Sequence, residues 1–210
     1  MKFRLVTRSD FDGLVCAVLL RHLNMIDEIM FVHPKDVQDG SVDISDRDIL
    51  TNLPYAPAAH MVFDHHHSET LRTGGDKDNH VIDGEAPSAA RVIYEHFGGA
   101  ERFPLVSAEL MRAVDQADSA AYELDDILHP QGWTLLSFLM DSRTGLGRFR
   151  EFRISNYQLM MQLIDACTEL TAEEILRTPD VAERVALYRL HSEQAVEQIR
   201  RRSRVHGDLV

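Results

Sequence analysis

Apolar positions in the first 85 residues fall in short runs separated by helix-like or loop segments. The runs predict strands over 3–7, 29–33, 48–53, 60–64 and 80–83. Between the first two, Leu14, Val15, Val18, Leu19 and Leu23 recur at helical spacing and predict a helix over 13–24. Strands alternating with helices argue for an α/β fold, a parallel sheet flanked by helices whose ligands collect at the strand carboxyl ends. From Pro87 onward the pattern is helical. Segments 88–97, stopped by Gly98-Gly99, then 105–121, 134–140, 154–170 and a long final helix over 181–203 are expected. The final helix carries Val181, Val185, Tyr188, Val196 and Ile199, and its basic end, Arg200-Arg201-Arg202, opposes the helix dipole. The expected organisation is an α/β core over 1–125 and a helical C-terminal extension over 126–204 that packs on it. Residues 205–210 read as a turn and the start of a strand, the expected opening of a further substrate-binding domain.

Two polar clusters stand at the ends of apolar runs. Asp10-Phe11-Asp12-Gly13 follows Phe3-Arg4-Leu5-Val6, and Asp64-His65-His66-His67 follows Met61-Val62-Phe63. Asp10 and Asp12 are two apart, so an extended backbone points both carboxylates the same way. Held together they repel unless a cation lies between them. The simpler account, that one of them caps the next helix, covers one carboxylate and not both. Carboxylates mixed with imidazoles suit Mn²⁺, Fe²⁺ or Zn²⁺. A solvated histidine run is the competing account of the second cluster, opposed by the apolar anchor Val62-Phe63. His67 is the expected bystander.

The chain has 210 residues and a formal net charge of −12. An acidic surface repels a long phosphate backbone but admits a small anionic substrate, because a bound cation reverses the field locally. No apolar run approaches the roughly 18 residues that span a bilayer, and no leader pattern opens the chain. Cys16 and Cys167 lie far apart in apolar helical patterns, which suits a reducing compartment; a cytoplasmic protein is expected.

The runs Ser9-Asp10-Phe11-Asp12-Gly13 and Phe63-Asp64-His65-His66 resemble the first and third motifs of the DHH phosphoesterase superfamily, in the same order and with similar separation. That group includes RecJ-type exonucleases, short-oligonucleotide phosphatases, cyclic-dinucleotide phosphodiesterases, pyrophosphatases and exopolyphosphatases. The resemblance covers residues 1–120. It implies a five-stranded parallel sheet and a Mn²⁺ centre of one or two ions, with Mg²⁺ or Co²⁺ as substitutes. Asp10, Asp12, Asp64 and His65 are the implied metal ligands, and His66 the group that contacts the scissile phosphate or assists the leaving group. Asp118, followed by Ser119, best matches the aspartate of the fourth motif; Asp115, one helical turn earlier, is the reserve. Arg8 stands where many relatives have a histidine, and a guanidinium has no lone pair for a metal. Asn52 stands where the second motif has an aspartate; Asp46 or Asp48 replaces it only if the strand register shifts. These two departures point to one metal or a weak pair, with Arg8 free to hold a phosphate.

Further candidates are loop residues. Ser88, or the amides after it, can cap the next helix or bind an anion. Arg143 and Arg148, in a loop with two glycines, and Asn52 are low-ranking candidates for a substrate phosphate. The expected function is metal-dependent hydrolysis of a small phosphate ester or anhydride: a short oligonucleotide, a dinucleotide, pyrophosphate or polyphosphate. The alternative is a catalytically weakened nucleotide- or phosphate-binding regulatory protein on the same scaffold. No long nucleic acid or membrane partner is expected, and a homodimer is compatible.

Overall fold

A computed structural model describes residues 2–73, 77–141 and 151–204. Five strands, β1 (Phe3–Arg8), β2 (Ile26–Val32), β3 (Asp48–Thr51), β4 (Met61–Asp64) and β5 (His80–Ile82), form one sheet in the order β2-β1-β3-β4-β5. All four pairings are parallel, as the alternation with helices requires. In this order the winding direction reverses between β1 and β3. Side chains leaving the carboxyl ends of those strands therefore border an open crevice rather than a covering helix.

Helix α1 (Phe11–His22) is apolar on nearly every side, and each residue from Phe11 to Leu20 is buried. A helix with that pattern belongs inside the protein. It lies between the sheet and α4 (Ala89–His96), α5 (Ala108–Asp118) and α8 (Asn156–Glu169), in one core that runs from Leu5, Ile49 and Phe63 to Leu163 and Ile164. The C-terminal helices thus share the core of the α/β unit. Arg21 on α1 also pairs with Asp165 on α8 at 2.9 Å. The opposite face of the sheet carries a smaller cluster, Val6, Leu50, Leu53, Ala59 and Val62, covered by the segments around Val37, Ile44 and Tyr55.

Expected elements and observed ones differ mainly at short helices. The pattern does not show α2 (Pro34–Gln38), α3 (His67–Thr73), α6 (Leu124–Leu128) or α9 (Ala172–Arg177), because each has too few turns to display a period. Strand β3 stops at Thr51, two residues early, since Asn52 turns into the left-handed region with φ 54°. The final helix, α10 (Pro179–Arg202), buries Val181 and Val185, whereas Val196 and Ile199 are exposed. Among the described residues, no helix is long and apolar enough to cross a membrane.

Candidate metal centre at the strand carboxyl ends

The chain leaves β1 at Arg8 and enters α1 through Asp10, whose Oδ1 accepts the Gly13 amide at 2.9 Å as an N-cap. Gly13 is required by close approach. A Cβ there would lie 2.0 Å from the Arg8 carbonyl oxygen and 2.8 Å from Thr7 Oγ1. The first turn of α1 is thereby pressed onto the end of β1, and Asp12 points inward, 2% exposed. Its Oδ1 accepts the Ala90 amide at 2.8 Å and its Oδ2 the Ala89 amide at 3.1 Å. The anion held by the opening amides of α4 is therefore the chain's own carboxylate. Ser88 is the N-cap of that helix.

From β4 the DHH run splits into three roles. His65 turns inward, and its Nδ1 lies 3.2 Å from the Ala86 carbonyl oxygen. A carbonyl only accepts, so Nδ1 carries the proton and Nε2 of the neutral ring presents its lone pair. His66 Nδ1 lies 2.7 Å from Asp64 Oδ1, which fixes the same tautomer and leaves Nε2 outermost on a half-exposed ring. His67 opens α3 and is exposed, outside the cluster.

Asp118, the last residue of α5, completes a convergence that no local stretch of sequence contains. Among the described residues, ligand atoms of Asp12, His65 and Asp118 all lie within 4.8 Å of one another. His65 Nε2 is 2.7 Å from Asp118 Oδ2, an ion pair when the ring is protonated. Electrostatics agrees. Burial, then the charges of Asp118 and Asp10, push the Asp12 carboxyl well above the usual carboxylate range. Burial opposes charge on His65, but the adjacent Asp118 and Asp12 outweigh it and hold the imidazole up at about 9. A divalent cation would relieve both. The donor set, two carboxylates and an imidazole, fits Mn²⁺ or a similar ion.

The remaining expected ligands are engaged differently. Asp10 gives its second oxygen, Oδ2, to Arg8 Nε at 3.1 Å, so an internal guanidinium already balances it. Burial in the crevice raises the Asp10 carboxyl, against the pull of Arg8 and the Gly13 amide. Asp64 is fully buried; Oδ1 serves His66 and the His65 amide, and Oδ2 has no hydrogen-bond partner among the described residues. Both side-chain amide atoms of Asn52 are likewise buried with no hydrogen-bond partner among the described residues, at the end of the neighbouring strand. Asp48 does not substitute for Asn52: it lies at the amino end of β3, bound to Arg4 at 2.6 Å. Asp115 binds Ser88 and Arg91 rather than the cluster. Arg143 and Arg148 lie outside the described residues. Neither cysteine is a ligand; burial raises both thiols, that of Cys167 to about 12.

A crevice of about 790 Å³ borders this cluster, lined by Arg8, Asp10, Asp12, Asp118, His33 and Tyr122 among others. A larger cavity of about 910 Å³ lies between α7 (Gly132–Met140), α9 and α10, but among the described residues no group of converging metal-binding side chains borders it. The smaller crevice is the one with the chemistry.

The sequence matches no protein-family model and no curated protein. Among solved structures, the chain is similar to a pGpG-specific phosphodiesterase, PggH, from Vibrio cholerae, with a TM-score of 0.89 and 58% sequence identity. The match covers 98% of this chain and 66% of that one, so the chain spans about two thirds of that protein's length.

Proposed function

We propose that this chain belongs to the DHH phosphoesterases and hydrolyses the phosphodiester of a short linear dinucleotide, pGpG being the leading candidate, with the help of a divalent cation. The convergence of Asp12, His65 and Asp118 carries the reading. The 58% identity to a pGpG-specific phosphodiesterase narrows the substrate class.

Asp12, His65 and Asp118 would hold one ion, Mn²⁺ before Mg²⁺ or Co²⁺. A bound divalent cation supplies charge to offset the phosphoryl oxygens and lowers the pKa of a water molecule. The chain's own groups do the rest. Arg8, anchored by Asp10 on the crevice wall, offers its planar donors to a phosphate. His66, oriented by Asp64, turns Nε2 outward, where the doubly protonated ring would give a proton to the departing ribose oxygen and return to the Nδ1–H tautomer. Asp64 fixes the ring and its tautomer through Nδ1. Arg8 already balances Asp10, which removes one carboxylate from those available to cations and favours a single ion over a pair.

Release of GMP from pGpG, followed with and without Mn²⁺ and compared with pyrophosphate, polyphosphate and cyclic dinucleotides, tests the reading. Mn²⁺-dependent cleavage of pGpG ahead of the others is expected. Tight binding of pGpG with no turnover of any phosphoester at saturating Mn²⁺ would instead establish a regulatory binder, the role that Arg8 and Asn52 would suit.

A further inference from the structure

The side chains behind the cluster form a second network. Ser88 is fully buried; its Oγ accepts the Arg91 amide at 3.0 Å and donates to Asp115 Oδ1 at 2.8 Å. Asp115 Oδ2 accepts from Arg91 Nε at 3.0 Å and Nη2 at 2.5 Å, a two-pronged ion pair with geometry fixed by the planar guanidinium. Arg91 extends to Glu95 through Nη1 at 3.1 Å. These contacts lock the first turn of α4 onto α5. The same turn of α4 supplies the Ala89 and Ala90 amides that hold Asp12, and the same turn of α5 carries Asp118, three residues after Asp115.

We propose that Asp115, acting through Ser88 and Arg91, is a positioning residue that sets the separation and orientation of Asp12 and Asp118 and thereby the affinity for the cation. Asp12 faces the site only as far as α4 permits, and Asp118 only as far as α5 permits. The ion pair and the Ser88 hydrogen bond tie one helix to the other beside both ligands. Outer groups that orient ligands typically contribute a factor of about 10–100 in metal affinity. The inference rests on the reading of Asp12, His65 and Asp118 as a cation site.

Calorimetric titration of Mn²⁺ into the metal-free protein tests it, together with the Mn²⁺ concentration that half-activates pGpG cleavage. Asp115→Asn keeps the volume and removes the charge; Arg91→Lys removes the fork and is the second variant should the first not fold. In each, the Mn²⁺ dissociation constant is expected to rise at least about tenfold. The half-activating concentration should rise in parallel, and saturating Mn²⁺ should bring turnover back to within about threefold of the wild-type value. A lowered melting temperature with unchanged Mn²⁺ affinity would reduce Asp115 to a purely structural role. Turnover that saturating Mn²⁺ does not restore, with fewer ions bound per chain, would make Asp115 a ligand and also overturn the proposal. A wild-type protein that binds Mn²⁺ but cleaves no phosphoester removes the proposed function and leaves the calorimetric comparison to decide. A wild-type protein that binds no Mn²⁺ overturns both.

Discussion

Asp48 and Asp12 are buried to the same degree, 1% and 2% exposed, at opposite ends of one sheet, and they are treated oppositely. Burial alone would raise the Asp48 carboxyl. The fork of Arg4, at 2.6 and 2.9 Å, and the Ser45 amide, at 2.7 Å, more than offset this and hold it below the usual carboxylate range. Asp12 accepts two amides, but burial and the charges of Asp118 and Asp10 outweigh them and the pull of His65, and its carboxyl is pushed up. Among the described residues, Asp64 Oδ2 and the side-chain amide of Asn52, at the same end as Asp12, have no hydrogen-bond partner. A carboxylate that serves the fold is satisfied from within the chain. One left short of positive charge is a candidate to meet a ligand.

Substitutions should separate the two ends. Asp118→Asn is expected to lower turnover of pGpG at least about a hundredfold, the scale for removing a group that stabilises transition-state charge. The melting temperature of the metal-free protein should fall less than in Asp48→Ala, because a repulsive charge beside Asp12 goes with it. Asp48→Ala should do the reverse. It breaks the Arg4 pair and costs about 3 kcal/mol in chemical denaturation, with the rate per folded molecule unchanged.

The two ends should also differ in pH response. The Asp48 contribution is present above the ordinary carboxylate range and fades as pH falls through its lowered value. His65 has the opposite sign. Its raised value stabilises the metal-free fold fully below about 6.5, and that contribution is lost as pH climbs through about 9. Mn²⁺ must displace the same proton, so its affinity should rise about tenfold per pH unit between pH 7 and 8. A flat affinity over that interval would remove His65 from the ligand set. The smallest effect is expected for His67→Ala, within about twofold of wild type in turnover, because the side chain is exposed and outside the cluster.

Much of this was legible in the chain because strand ends are local. Asp10, Asp12, Asp64 and His65 each follow an apolar run, and parallel topology brings the ends of β1, β3 and β4 together. Asp118 was legible only through the family resemblance; on its helix nothing distinguishes it from Asp115 except what stands opposite. The hold of Ala89 and Ala90 on Asp12 was hidden for another reason. Backbone amides carry no sequence signal, and the partner is 77 residues away along the chain. Ser88 signalled a helix start, but not that the anion bound there would come from α1. Arg8 shows the limit in the other direction: its position before Asp10 is evident, yet only the structure shows the guanidinium occupying the carboxylate beside it.

The most direct measurement is calorimetric titration of Mn²⁺ at pH 8 into the wild-type protein and into Asp118→Asn, both shown to be folded. One saturable site in the wild type, weakened at least about tenfold in the variant, is expected for a cation held by Asp12, His65 and Asp118. Equal binding by the two proteins, or none by either, would contradict the metal centre.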